Sequence, residues 1–315
     1  METRTIGKLD ASAVGLGCNN FGGRIDEAAT VTVVNAALDA GITLFDTADI
    51  YGGTRSEEYL GRALGSRRDE AIIATKFGGP IDEERKGGAS AAYIARAVED
   101  SLRRLGTDRI DLYQLHFPDP TTPFAETLAA LDTLVRAGKV LEVGASNLSA
   151  EQIDETSRIS TERGLARFVS VQNEYSLLRR GPEHFGVLDA CARDGLVFIP
   201  YFPLASGVLT GKYRRNETPP AGTRLSAMPA ERLADALSDK VFDRVETLEG
   251  FARDHGHTLL ELAIAWLLAR PTVASVIAGA TKPEQVRANA AAAAWTLSDD
   301  DVRTVDALID AAKSA

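Results

Sequence analysis

Short apolar runs alternate with longer amphipathic segments along almost the whole chain. Most of the runs contain β-branched and other apolar residues without clean alternation, which is typical of strands that are buried on both faces. We therefore predict eight strands, at residues 13–17, 42–45, 71–75, 110–115, 140–145, 169–172, 196–201 and 275–280.

The longer segments between the runs carry apolar residues at helical spacing. In 89–106, for example, Ile94, Val98 and Leu102 fall on one face of a helix. Ser56 is expected to cap the second helix, with a glutamate behind it. The predicted helices span 26–41, 56–65, 89–106, 122–138, 149–164, 182–195, 231–256 as one helix or two, 258–270, 283–295 and 298–315.

Eight strands that alternate with helices predict a single (β/α)8 barrel. A doubly wound parallel sheet shares this alternation and is the competing fold. No interdomain linker is evident, so residues 1–315 are expected to form one domain. Residues 205–230 lack a strong pattern and are rich in Gly, Pro and Arg. Because they follow the seventh strand, we predict a long loop there that acts as a lid or cofactor strap.

Composition and charge narrow the classes of function. The net charge of −10 argues against nucleic acid or an anionic membrane as a partner. Two cysteines, Cys18 and Cys191, do not make a disulfide framework and suit a reducing compartment. The first ten residues lack a signal-peptide core, and the apolar stretch 262–269 is too short to span a bilayer. A cytoplasmic location is therefore expected, and the four histidines show no metal-binding spacing.

Four polar residues stand at or just beyond the ends of predicted strands. Asp46, Lys76 and His116 end the second, third and fourth strands, and Tyr51 lies in the loop after the second. The carboxyl ends of barrel strands form the active site, so these side chains are expected to converge. Hydride addition to a carbonyl leaves an alkoxide that needs a proton. A tyrosine with an ordinary pKa of about 10 becomes a better donor beside an ammonium group.

In this hypothesis Asp46 holds Lys76 charged and oriented, and His116 orients the carbonyl oxygen. Each residue taken alone has an ordinary structural alternative. Asp46 suits a loop or cap, Lys76 a structural ion pair, Tyr51 packing and His116 a hydrogen-bonded loop. Their joint occurrence at consecutive strand ends favours the catalytic interpretation.

Several sequence blocks, in order, resemble the aldo-keto reductase superfamily, in particular its branch of bacterial general reductases and potassium-channel β subunits. The resemblance implies a (β/α)8 barrel and NAD(P)-dependent carbonyl reduction, with Asp46, Tyr51, Lys76 and His116 as a catalytic tetrad and Tyr51 as proton donor. The blocks are FDTADIYGGTRSEEYLGRAL (45–64), IIATKFG (72–78), DLYQLHFPDP (111–120), LVRAGKVLEVGASN (134–147), VQNEYSLL (171–178) and LASGVLTGKY (204–213).

The same resemblance implies where the nicotinamide end of the cofactor is held. Ser146, Asn147 and Gln172 match residues that hydrogen-bond the carboxamide, and Tyr201 matches an aromatic residue that stacks on the ring. Hydroxyl and amide side chains at the ends of strands suit this role physically. Phe202 is a departure, because the branch usually has serine at this position.

The remaining cofactor positions lie in the predicted strap and near the last strand. The basic residues of 212–224, which include Arg214 and Arg215, suggest that an anionic group docks there, although a solvated loop is the alternative. Ala288 replaces the glutamate of the family, so the expected NADPH preference leaves NAD(H) possible. The resemblance implies strap contacts by Leu204, Gly207, Lys212 and Arg224, and adenosine contacts by Gly279, Thr281, Gln285 and Asn289.

The leading hypothesis is an NADPH-dependent reductase of a small-molecule aldehyde or ketone. One alternative is an NAD-dependent sugar or polyol dehydrogenase, which would use nearly the same site. Another is a cofactor-binding regulatory subunit similar to the channel β subunits. The complete tetrad, and His116 in particular, favours an enzyme.

Overall fold

Eight parallel strands follow one another around the sheet in chain order, and the last strand pairs with the first. The computed structural model describes residues 1–83 and 85–314. Phe198 bridges to Val273 and Tyr201 to Ile277, so the remaining two edges of the sheet also meet. The strands are β3 (Val14–Gly17), β4 (Leu44–Asp46), β5 (Ile72–Phe77), β6 (Ile110–Leu115), β7 (Val140–Ser146), β8 (Phe168–Gln172), β9 (Val197–Phe198) and β10 (Val276–Gly279).

This strand order confirms the predicted (β/α)8 barrel. A doubly wound sheet reverses its strand order at a switch point, and no such reversal occurs among the strands of the described chain. The core lies between the barrel and the surrounding helices, where the apolar faces predicted from the sequence are buried.

A two-stranded hairpin precedes the barrel, and the sequence pattern did not predict it. Strands β1 (Thr3–Ile6) and β2 (Leu9–Ser12) pair antiparallel. Ile6 and Leu9 are buried in one apolar cluster with Leu44, the first residue of β4. The hairpin therefore covers the end of the barrel opposite to the predicted site.

The helices agree with the predicted segments except in one place. The predicted helix 182–195 is two helices, because Gly186 takes a φ of +68° between them. The segment 231–256 forms two helices, which is one of the two predicted arrangements, and Ala315 of the last predicted helix lies outside the described residues. The helices are α1 (Glu27–Asp39), α2 (Arg55–Leu64), α3 (Ala91–Leu105), α4 (Phe124–Arg136), α5 (Ala150–Arg163), α6 (Gly181–His184), α7 (Val187–Asp194), α8 (Ala230–Ala236), α9 (Asp239–Asp254), α10 (Leu259–Leu268), α11 (Pro283–Ala292) and α12 (Asp299–Ser314).

The predicted cap at Ser56 is wrong. Helix α2 begins at Arg55, and Thr54 precedes it with a φ of +75°. The Ser56 hydroxyl is buried and donates to the carbonyl oxygen of Cys18 at 2.9 Å, and it lies 2.8 Å from the Thr47 hydroxyl. The Ser56 hydroxyl therefore connects α2 to the loops that follow β3 and β4. It makes these tertiary hydrogen bonds instead of capping its own helix.

The segment after β9 is the predicted long loop. Two short 3₁₀ turns, at Ala205–Thr210 and Leu225–Ala227, interrupt it. Leu209, Tyr213 and Leu225 are buried and anchor the loop to the core. Across the described chain, no helix combines the length and the apolar character needed to cross a membrane.

Candidate active site

The side chains of Asp46 and Lys76 form a buried ion pair at the carboxyl ends of β4 and β5. Lys76 Nζ donates to Asp46 Oδ1 at 2.6 Å and to the carbonyl oxygen of Thr47 at 2.9 Å. The other carboxylate oxygen of Asp46 accepts from the amides of Gln172, at 2.8 Å, and Gln114, at 3.2 Å. Such extra hydrogen bonds help to offset the cost of removing both charges from water.

Tyr51 and His116 lie against this pair. Lys76 Nζ is 5.1 Å from the centre of the Tyr51 ring. The rings of Tyr51 and His116 meet edge to face, with their centres 5.8 Å apart. Gly52 has a φ of +60°, and a Cβ on it would lie 2.3 Å from the carbonyl oxygen of Phe21. Glycine is therefore required beside Tyr51, because the loop packs directly on the backbone after β3.

Burial and charge set the protonation states of these groups. Burial raises the pKa of Tyr51 above its usual value; Lys76 opposes this rise, and Asp46 adds to it. The lowering by Lys76 expected from the sequence is thus present, but burial outweighs it. Burial alone would lower the pKa of Lys76, yet Asp46 and Tyr51 raise it, so the amine stays charged.

His116 is held as a neutral imidazole. Burial, assisted by the charge of Lys76, lowers its pKa to about 3. Its Nδ1 is buried and has no hydrogen-bond partner among the residues that the structure describes. A neutral imidazole carries one N–H donor, which is suited to polarising a carbonyl oxygen.

The four residues predicted to hold the nicotinamide lie together on the next three strands. Ser146 and Gln172 end β7 and β8, and the Ser146 hydroxyl donates to the carbonyl oxygen of Gln172 at 2.7 Å. The Tyr201 hydroxyl donates to Asn147 Oδ1 at 2.9 Å, and Asn147 Nδ2 donates to the carbonyl oxygen of His116 at 3.0 Å. These bonds connect the residues predicted to hold the nicotinamide directly to His116.

A cavity of about 740 Å³ opens above these residues and extends towards α11. All of the predicted site residues line it except Lys76, which lies behind Asp46 and Tyr51. The sequence analysis missed Asn19, Asn20 and Arg24, which line the cavity from the loop after β3. The one sequence feature that could have indicated them is the pair Asn19 and Asn20, which lies just beyond the first barrel strand.

Two arginines lie where the strap meets the loop after β3. Arg224 donates to Asn20 Oδ1 at 3.3 Å and to Asn19 Oδ1 at 3.4 Å, and its guanidinium lies 5.3 Å from the centre of the Phe202 ring. Arg24 donates in return to the carbonyl oxygen of Gly222 at 2.8 Å. Phe202 also lines the cavity, with a φ of +52° and 38% of its surface exposed.

The basic strap predicted from the sequence divides into two groups. Lys212 and Arg224 line the cavity, and a Cβ at Gly207, which has a φ of +91°, would lie 2.6 Å from Lys212 Nζ. Arg214 instead pairs with Glu249 of α9, and Arg215 pairs with three acidic residues of the same helix. The interpretation that all four cations serve an anionic ligand is therefore wrong, because α9 neutralises two of them.

The predicted adenosine residues form the far end of the cavity. Gln285 Oε1 accepts from the backbone N–H of Thr281 at 2.8 Å and from its hydroxyl at 3.1 Å. Asn289 is buried one turn further along α11, and Gly279 ends β10. Ala288 also lines this end, where a longer side chain would reach towards a ligand.

The barrel, the strand-end tetrad and the adjoining cavity define a carbonyl-reducing oxidoreductase of the barrel class. The chain belongs to the aldo/keto reductase family, whose sequence model matches residues 13–310. It is an NAD(P)H-dependent enzyme of that family.

Several curated proteins are similar over nearly their whole length. Aldo-keto reductase YhdN of Bacillus subtilis (strain 168) is 34% identical over 312 residues, which cover 96% of this chain and 91% of that protein. A probable voltage-gated potassium channel subunit beta of Oryza sativa subsp. japonica is 36% identical, with coverages of 85% and 83%. Protein tas of Escherichia coli (strain K12) is 31% identical, with coverages of 95% and 94%. These relatives belong to the branch that the sequence blocks indicated.

Proposed function

We propose that this chain, as one barrel domain, reduces an aldehyde or ketone to the alcohol with NADPH, and that Tyr51 is the proton donor. The observation that carries the proposal is the position of the Lys76 ammonium between the Asp46 carboxylate and the Tyr51 ring. A charged amine at this point stabilises a phenolate at the moment when the tyrosine gives up its proton.

The proton transfer follows from the protonation states of the side chains. With a raised pKa, Tyr51 holds its proton at neutral pH and is an acid in the resting enzyme. Bound NADPH would supply the hydride that adds to the carbonyl carbon. The electron pair of the carbonyl moves to oxygen as the Tyr51 O–H bond breaks, and Tyr51 donates its proton to that oxygen. Solvent then restores the proton to the phenolate.

His116 orients the carbonyl in this proposal. Its neutral ring lies edge to face with Tyr51, so an oxygen between them meets the Tyr51 hydroxyl and an imidazole N–H. Two donors aimed at one oxygen stabilise the negative charge that develops there. Phe117 stacks on the His116 ring, with ring centres 4.4 Å apart, and is 44% exposed, which gives an incoming substrate an apolar wall.

The donor set of the cavity fits a nicotinamide dinucleotide. Ser146, Asn147 and Gln172 offer hydroxyl and amide groups for the carboxamide, and Tyr201 offers a ring face. Arg24, Lys212 and Arg224 also line the cavity and collect positive charge in a chain whose net charge is −10. This concentration of cations supports NADPH over NADH, because the extra phosphate of NADPH needs compensation.

The test is turnover with 4-nitrobenzaldehyde as a reactive probe, followed by the loss of NADPH absorbance at neutral pH. We expect oxidation of NADPH in proportion to the alcohol formed. The proposal would be overturned if the protein bound NADPH but formed no alcohol from several aldehydes and ketones. That outcome would instead support a cofactor-binding regulatory subunit, the second candidate that the channel subunit relatives favour.

A further inference from the structure

A second buried polar cluster lies behind the tetrad, between the barrel and helices α2 and α3. Its central carboxylate belongs to Glu57 of α2, which is completely buried. Glu57 Oε1 accepts from the Thr75 hydroxyl at 2.6 Å, and Oε2 accepts from Arg104 Nε at 2.6 Å. Arg104 therefore already forms an ion pair with Glu57.

Asp49 shares this cluster but not its ion pair. Its side chain is buried, and neither carboxyl oxygen has a hydrogen-bond partner within residues 1–83 and 85–314. Buried carboxylates normally pair or accept hydrogen bonds, because an unpaired buried charge is costly. The neutral acid form avoids that cost.

The charged and titratable groups around Asp49 come from every element packed on it: Glu57 of α2, Arg104 and Tyr93 of α3, Lys76 of β5 and Tyr113 of β6. Burial and then Glu57 raise the pKa of Asp49 to about 8, and Arg104, the Ile50 amide and Lys76 oppose the rise to a smaller extent. The Ile50 amide is near enough to act on the carboxyl group, but its geometry falls short of a hydrogen bond. The Tyr113 hydroxyl is likewise buried and, within the described chain, without a partner.

The backbone of Asp49 connects this cluster to the tetrad. Its N–H donates to the carbonyl oxygen of Lys76 at 3.1 Å, and the Thr47 N–H donates to the carbonyl oxygen of Ala74 at 2.8 Å. The chain from Thr47 to Asp49 thus continues β4 along β5. Tyr51 follows two residues later, so a displacement at Asp49 is carried to the proton donor.

We propose that Asp49 is a positioning residue, which holds the loop of Tyr51 in place as a neutral acid and releases it on losing its proton. The released form would carry a second buried negative charge beside Glu57, and Arg104 and Lys76 would have to offset both negative charges. The loop is the part that can yield, because the helices and strands around it are packed into the core. This inference rests on the proposed function for its kinetic test.

The kinetic test compares wild type with Asp49→Asn, whose amide has the shape of the neutral acid and cannot ionise. In NADPH-dependent reduction from pH 6 to 10, the kcat of wild type should fall about tenfold per pH unit above pH ~8, as one titrating group requires. Asp49→Asn should match wild type at pH 6 to 7 and lack this alkaline fall. Titration of Tyr51 or Lys76 is expected at higher pH than this fall, because burial raises the pKa of Tyr51, and Asp46 and Tyr51 raise that of Lys76.

Glu58→Gln is the matched control, since Glu58 is the neighbouring carboxylate of α2, is half-buried and lies 3.8 Å from Arg62. It should keep the alkaline fall of wild type. The proposal is wrong if Asp49→Asn shows the same alkaline fall as wild type, or if it loses kcat equally at every pH.

Two measurements decide the protonation of Asp49 without turnover. The infrared carbonyl band of a protonated carboxylic acid should be present in wild type at pH 7 and weaker in Asp49→Asn. In urea unfolding, wild type should lose stability relative to Asp49→Asn as the pH rises from about 4 to about 8, because only the folded state keeps the proton in this range. An unchanged infrared band, or a constant difference in stability, would contradict the proposal. Absence of all carbonyl turnover would contradict the proposed function. The infrared and urea-unfolding measurements would still test the protonation of Asp49 in that case.

Discussion

Lys76 Nζ lies 2.6 Å from Asp46 Oδ1, and both side chains are almost completely removed from solvent. This contact joins the ends of two neighbouring barrel strands and points the amine at Tyr51. Because a buried ammonium is costly, the carboxylate both keeps Lys76 charged and restricts where the charge lies. The ion pair therefore sets the electrostatic environment of Tyr51, the proposed proton donor.

Tyr51→Phe should lower kcat by about 10²–10⁴, the range expected for the loss of a general acid. The phenyl ring retains the packing against Lys76 and His116, so the KM for NADPH should stay within about twofold. Steady-state kinetics at pH 7 measure both parameters, and thermal unfolding checks that the variant is folded. Wild-type kcat in this variant would assign the proton donor to another group.

Asp46→Asn should destabilise the protein by about 3–5 kcal/mol, because it leaves the Lys76 ammonium buried without its counter-ion. Urea unfolding followed by circular dichroism measures the loss. Asp69→Asn is a useful control, since Asp69 pairs with Arg109 at the surface and its loss should change the stability very little. Equal losses in the two variants would show that the Asp46–Lys76 pair contributes no more than a surface pair.

The positions of the tetrad could be predicted from the sequence, because active sites of α/β barrels lie at the carboxyl ends of the strands and each strand end can be recognised locally. A residue at the end of a parallel strand faces the mouth of the barrel whatever the loops do, so Asp46, Lys76 and His116 were placed by their strands alone. The fold followed for the same reason, since each buried strand and each amphipathic helix carries its own pattern.

The features that the sequence missed depend on contacts between distant segments. Arg224 meets Asn19 across 205 residues of chain, and Arg215 meets Glu246 across 31. No local pattern distinguishes an arginine that lines a cavity from one that is neutralised by a neighbouring helix. The hairpin β1–β2 was missed because its strands are four residues long and only three of their eight residues are apolar.

In His116→Asn, the free energy of unfolding should decrease less than in wild type as the pH falls. The folded-state pKa of His116 is about 3, below the ordinary value of 6.5, so the unfolded chain binds a proton that the folded protein excludes. The stability that this group contributes is present above pH ~6.5 and declines as the pH falls towards about 3, by about 1.4 kcal/mol per unit at most. Urea unfolding between pH 7 and pH 5 should show wild type losing more stability than His116→Asn. Parallel curves would mean that His116 is protonated in the folded state.

Arg224→Ala should weaken the binding of NADPH by tenfold to a hundredfold and leave that of NADH nearly unchanged. A hydrogen bond to a charged group contributes about 1.5–3 kcal/mol, which corresponds to this range, and only NADPH carries the additional phosphate. Fluorescence titration of the protein with each cofactor measures both dissociation constants. Arg215→Ala is the matched control from the same loop, because Arg215 is held by Asp239, Asp243 and Glu246 and should not affect either cofactor. Equal weakening of NADPH and NADH by Arg224→Ala would show that Arg224 contacts a part common to both cofactors, and would remove the support for NADPH preference.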